Sequence, residues 1–145
     1  MSNKNNYYRE IFHDSVHVAT IVKPTESPKG LSFVTDDEKF IQLGIWNYEK
    51  NVRLDPHFHN EFERKSYKTN EFVFVLKGEI ECNLYTEEGD FIESIIVKEN
   101  EGIIQHNYAH EYKILDDSII LESKNGPFMG VEKDKVVINA KKKEN

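Results

Sequence analysis

Cys82 is the only cysteine in this chain of 145 residues, which excludes a disulfide within it. It lies between Glu81 and Asn83 in a strand-like stretch, where a lone thiol is expected to pack as a small apolar residue. Long apolar runs are also missing. None approaches the roughly 20 residues that a membrane-crossing helix needs, so no membrane partner is expected. Residues 1–9 are polar and lack the apolar stretch of a secretory leader. Together these absences predict a cytoplasmic protein. Base is scarce relative to acid: 19 Lys and Arg against 26 Asp and Glu give a net charge of -7. Such a surface repels phosphate backbones, so no nucleic-acid partner is expected either. The basic run at 141–143 reads as a solvated end. Extended helical periodicity with caps at both ends is absent as well.

Short strand signals are present instead. Val16–Val22 is rich in β-branched residues and stops before Pro24. Residues 23–30 hold two prolines and a glycine and read as a loop. Residues 41–46 form the next candidate strand. Phe72-Val73-Phe74-Val75-Leu76 is a continuous apolar run closed by Lys77-Gly78. Ile80, Cys82 and Leu84 alternate with polar residues, the period of a half-buried strand. Residues 87–90 make a turn, and residues 91–97 resume the strand. Further short strands are predicted at 102–105, 111–115 and 118–121, the last two joined by a turn at Asp116-Asp117. Hydrophobic residues at 38% and charged residues at 31% complete the balance of one soluble globular domain. The expected class is all-β, a sandwich or barrel with little helix. Because both faces of 72–76 are apolar, both must be covered, by other strands or by a second copy, and a homodimer is expected.

Pro56-His57-Phe58-His59 is the first feature that calls for chemistry. On an extended strand, residues i and i+2 face one side, so His57 and His59 would present two imidazoles together. Glu71 heads an apolar strand, where a carboxylate is costly to bury unless it is paired or metal-bound. His110 follows the later strands, with His106 one helical turn's length earlier in the sequence. Three imidazoles and a carboxylate suit iron, manganese, nickel, cobalt or zinc, and leave positions open for water or substrate. His13 and His17 have no evident partner in the sequence and are expected at the surface or at a dimer contact.

These residues resemble the cupin superfamily. Its first motif runs from a glycine over five residues to HxH, then a glutamate, six residues and a glycine. Here Glu71 and Gly78 have the spacing of the second half. The first glycine is replaced by Asn51, which also tolerates the left-handed turn conformation. The gap from His59 to Glu71 is longer than in the motif. Glu63 has the shorter spacing, but Asn70 stands where its glycine would be. The second motif is degenerate: His110 is its best histidine and His106 the rival. The resemblance implies a jelly-roll barrel, the double-stranded β-helix of cupins. It also implies one divalent transition metal on His57, His59, Glu71 and His110.

A narrower likeness spans about residues 30–135. It is to short bacterial cupins found among surface-polysaccharide and sugar-biosynthesis genes. It rests on Phe33-Val34-Thr35, Gln42, His57-Phe58-His59-Asn60, Glu63-Arg64, Thr69-Asn70-Glu71, His110, Glu122-Ser123-Lys124, Gly126-Pro127-Phe128 and Asp134-Lys135. A barrel core is expected at about 30–138, with an N-terminal arm at 1–29 and a loose tail at 139–145. The implied substrate is a small polar molecule, a sugar or nucleotide-sugar. The expected activity is metal-dependent isomerisation or epimerisation. An iron-dependent oxygenase, a carbohydrate-sensing module without catalysis, and a metal-free isomerase using a His-Tyr pair are the alternatives. Glu63 and His106 are candidates for proton transfer. Arg64, whose fork suits carboxylate or phosphate, is a candidate for substrate binding with Asn60, Gln42 and Lys124.

Overall fold

A computed structural model describes residues 6–141. Ten strands dominate: β1 Tyr8–His13, β2 Val16–Val22, β3 Gly30–Phe33, β4 Gly44–Asn47, β5 Glu71–Lys77, β6 Glu79–Tyr85, β7 Phe91–Lys98, β8 Gly102–Gln105, β9 Ala109–Ile114 and β10 Ile119–Lys124. The only helical pieces among the described residues are a 3-10 turn at Pro24–Glu26 and one turn of α-helix, α1, at Val131–Asp134. The chain is all-β, as the strand signals predict.

The strands form three antiparallel sheets. The largest has the order β1-β2-β8-β5-β10, the second β7-β6-β9, and the smallest β3-β4. They do not close into one hydrogen-bonded ring among the described residues. The core lies between the two larger sheets. Val73 and Val75 of β5, Ile103 of β8, and Ala19 and Ile21 of β2 meet Ile80, Cys82 and Leu84 of β6 and Ile95 and Val97 of β7. Each large aliphatic side chain buried there contributes about 1.5–3 kcal/mol. The alternation at Ile80, Cys82 and Leu84 therefore faces inward, as its period of two requires.

The apolar run at 72–76 is covered on both faces from Phe72 to Val75 but not at Leu76. Val73 and Val75 face the core, while Phe72 packs with Val34, Ile45 and Ile104 under the β3-β4 hairpin. Farther along β5, Leu76 remains exposed, as does Leu121 of β10, which lies opposite Phe74.

Several boundaries differ from the sequence reading. The N-terminal segment at 1–29 holds the predicted strand at 16–22 as β2, and its described part also supplies β1; both pair within the largest sheet. β1 escapes sequence detection because only Ile11 among its residues is buried. The predicted turn at Asp116-Asp117 is not a simple hairpin. β9 pairs with β6 and β10 with β5, so this turn carries the chain from one sheet to the other. Of the tail expected to be loose, the Lys141 N–H donates to the Gly89 carbonyl at 2.9 Å and its ammonium pairs with Asp90. Residues 142–145, including the end of the basic run, lie outside the described residues. Asn51 does adopt the left-handed conformation, with φ 72°.

Candidate functional site

Glu71 opens β5 opposite Gln105 of β8. Its parity with Val73 and Val75 turns its carboxylate toward the space between the sheets. On the facing sheet, Tyr112 of β9 lies opposite Cys82 and His110 opposite Leu84, and their parity turns both inward. The two sheets thus bring Glu71 and His110 together. His110 Nε2 lies 2.9 Å from Glu71 Oε1. Tyr112 adds its hydroxyl to the same oxygen at 3.4 Å. Gln105 donates to the Tyr112 hydroxyl at 3.0 Å and to Cys82 Sγ at 3.2 Å. Both members of the acid–imidazole pair keep some access to solvent, with 15% of the Glu71 side chain and 30% of the His110 side chain exposed.

The electrostatics follow from this placement. Burial alone would raise the Glu71 carboxyl. The hydrogen bond and charge of His110 outweigh it, with help from Lys124, and the pKa falls below the ordinary value. Lys124 reaches the site because it sits across from Glu71 at the end of β10. Burial pushes Tyr112 upward, and the nearby Cys82 adds to that. The Cys82 thiol is pushed up to about 12, first by burial. Cys82 is fully buried, in line with the packing role expected of it.

His57 and His59 stand elsewhere. Their rings are neighbours, with centroids 5.2 Å apart. They do not lie on a strand, however; residues 52–66 form no ladder and are exposed. His57 Nδ1 lies 3.0 Å from the Asp55 carbonyl oxygen. The four expected ligands thus form two pairs, His57 with His59 and Glu71 with His110. Among the described residues, no group of three His, Cys, Asp or Glu side chains is gathered closely enough to hold a metal ion. A single metal on all four residues does not fit the donors as placed.

The remaining candidates divide in the same way. His106 follows Gln105 and therefore faces the opposite side of the largest sheet, away from Glu71. Its Nε2 lies 3.1 Å from Thr20 Oγ1, and His17 Nε2 lies 2.9 Å from the same hydroxyl. His17, expected at the surface or at a dimer contact, is thus the partly buried member of a histidine pair. Sequence reading missed it because the pair depends on β2 lying beside β8. His13 lies at the edge, 3.5 Å from Asp14. Glu63 is exposed and pairs with Lys65 at 3.5 Å. Arg64 stacks its guanidinium 3.6 Å over the Phe62 ring. Asn60 is exposed on the same segment. Gln42 donates to the carbonyls of Asp36 and Lys39 and so clasps its own loop. Lys124 also lies within ion-pair distance of Glu122 and Asp134.

A concavity of about 800 Å³ lies away from the acid–imidazole pair. It runs beside β1 and β7, lined by Arg9, Phe12, Ile95 and Lys98 among others, and carries the Arg9–Glu93 ion pair near its edge. The paired groups between the sheets are the stronger chemical candidate, because they combine partial burial with a direct carboxylate–imidazole contact. No helix among the described residues is long and apolar enough to cross a membrane. No family model matches the chain, and comparison with curated proteins and with solved structures finds no match.

Proposed function

We propose that this chain is a cupin-type enzyme that isomerises or epimerises a sugar or nucleotide-sugar, with Glu71 and His110 as its acid–base pair. The observation that carries this reading is the 2.9 Å contact between them, half-buried and flanked by Tyr112. A carboxylate beside an imidazole fixes the imidazole's orientation and tautomer. The imidazole then removes a proton from the carbon next to a sugar carbonyl. Returning that proton to the former carbonyl carbon, while the hydroxyl proton passes to the carbonyl oxygen, isomerises the sugar; epimerisation needs a second acid that protonates the opposite face, and Tyr112 is the hydroxyl beside the pair. Neither outcome changes the oxidation state of the molecule as a whole. Lys124, close to Glu71, supplies positive charge for an anionic substrate or enediolate.

Solvent-deuterium incorporation into keto-sugars and keto nucleotide-sugars, read by NMR, tests the reading. Incorporation by the unaltered protein, lost in E71Q and H110A, is expected. Incorporation that persists in both variants would overturn it. Saturable sugar binding without any exchange favours a carbohydrate-sensing module instead.

A metal-dependent form of the reaction is the second reading. It rests on the adjacent imidazoles of His57 and His59 and requires the two donor pairs to meet. Untagged protein holding near one equivalent of iron, manganese, nickel, cobalt or zinc, lost in H59A and E71A, supports it. Active metal-free protein removes it. We also read exposed Leu76 and Leu121 as a contact between two copies in solution. A monomer mass by light scattering would count against that contact.

A further inference from the structure

A second small cavity opens on the face of the largest sheet opposite the Glu71–His110 pair. It has a volume of about 160 Å³ and is lined by Lys39, Phe40, Tyr67, Lys68, Asn70, His106 and Asn107. That is room for about five waters, enough for a phosphate group with a short stem. Two lysines, two asparagines and one histidine are among the residues that line it, and no acidic residue is. The nearest acid to Lys68 is Glu87, at 3.8 Å, and Lys68 also reaches the Asn107 amide oxygen at 3.4 Å.

His106 supplies a second, independent sign. It is 4% exposed, and its Nδ1 has no hydrogen-bond partner in the fold. Its other nitrogen is engaged by Thr20. A buried polar atom left unpaired is unfavourable, and a ligand atom in the adjoining cavity would relieve it. Burial lowers the His106 pKa to about 3, with smaller electrostatic contributions from His17 and Lys39, so the ring is neutral and carries one proton.

The other parts of the cavity are held in place. Gln42 clasps the loop that carries Lys39. Asn70 donates to the His106 carbonyl at 2.8 Å, and Asn107 donates to the His17 carbonyl at 2.9 Å.

We infer that this cavity binds the phosphate group of a small molecule, or phosphate itself, between Lys39 and Lys68 with the His106 Nδ1–H as a neutral donor. The bound anion sets the tautomers of two histidines. Thr20 has one hydroxyl proton and sits between His106 Nε2 and His17 Nε2. An anion accepting from His106 Nδ1–H makes His106 Nε2 an acceptor. It accepts a hydrogen bond from the Thr20 hydroxyl, and the Thr20 oxygen accepts from His17 Nε2–H. The inference does not rest on the Glu71–His110 reading, since it concerns the other face of the sheet.

The test is NMR titration of the nitrogen-15-labelled full chain with inorganic phosphate and, separately, glycerol phosphate. Saturable shifts at the amides of Lys39, Asn70 and Asn107 are expected. The imidazole spectrum should show His106 protonated at Nδ1 and His17 at Nε2 in the bound state. The K39A/K68A double variant, whose amide spectrum reports whether the fold is kept, should bind at least ten-fold more weakly. Tighter binding of glycerol phosphate marks an organic phosphate, and equal binding marks the free anion; both support the site. Absence of saturable shifts, or equal affinity in the folded double variant, would overturn it.

Discussion

His110 Nε2 and Glu71 Oε1 lie 2.9 Å apart, and their contact bridges the two facing sheets. Glu71 belongs to β5 in one sheet and His110 to β9 in the other. The pair therefore joins the two halves of the core as well as forming the candidate site. Its contribution to stability is separable from activity by a double-mutant cycle. Urea unfolding of E71A, H110A and the double variant is expected to give a coupling energy of about 1 kcal/mol. Strict additivity would show that the two side chains do not interact in solution.

The buried His106 makes stability depend on pH. In the unfolded chain its imidazole titrates near 6.5, whereas in the fold burial lowers it to about 3. Between those values the unfolded chain holds a proton that the folded site refuses. Stability is therefore full above pH 6.5 and falls as the pH drops from there toward 3. At pH 5 the loss from this residue is about 2 kcal/mol. Unfolding midpoints of the protein and of H106Q at pH 7 and pH 5 check this. The loss on acidification should shrink by about that amount in H106Q. An equal loss in both would rule out a neutral, buried His106.

Much of the frame was legible because hydrophobic period reports burial directly. Ile80, Cys82 and Leu84 alternate and are all fully buried, and Val16–Val22 and Gly102–Gln105 form strands where predicted. Glu71 was legible too, as a carboxylate that heads an apolar strand and so calls for a partner, which the fold supplies as His110. His57 and His59 show the limit of that logic. An i, i+2 spacing aligns side chains only where a neighbouring strand holds the chain extended, and no strand pairs with this segment among the described residues. The His17–Thr20–His106 cluster was out of reach for another reason. Thr20 and His106 are 86 positions apart, and their contact follows from strand order, which local pattern does not encode.

Cys82 is predicted to be chemically silent in the folded protein. The thiolate is the reactive species, and the thiol pKa is pushed up to about 12, with no surface exposed. A chromogenic disulfide reagent at pH 8 should leave the native protein unlabelled over hours and react with one equivalent in denaturant. Rapid labelling of native protein would mean that the interior around Gln105 and Tyr112 opens readily.

Gly78 is predicted to be the least replaceable glycine at the crossings between sheets. It alone separates β5 from β6, and it turns the chain from one sheet to the other with φ 89°. A side chain there is strained by that conformation. It would also meet the second crossing, where Ser118 packs against Gly78. A Cβ on Gly78 would press on Ser118 Oγ and lie 2.7 Å from the Asp117 carbonyl oxygen. The Ser118 hydroxyl cannot simply rotate away at no cost, because it accepts from the Glu79 N–H at 3.2 Å and donates to the Asp116 carbonyl at 2.7 Å. Backbone strain and overpacking together give an expected loss of about 2–4 kcal/mol for G78A. Gly130 provides the control, since it also has positive φ but meets nothing within 4 Å. G130A should lose only the conformational part, about 1 kcal/mol. Equal losses in the two variants, by urea unfolding, would show that the packed contact at Ser118 adds nothing to the strain of the turn.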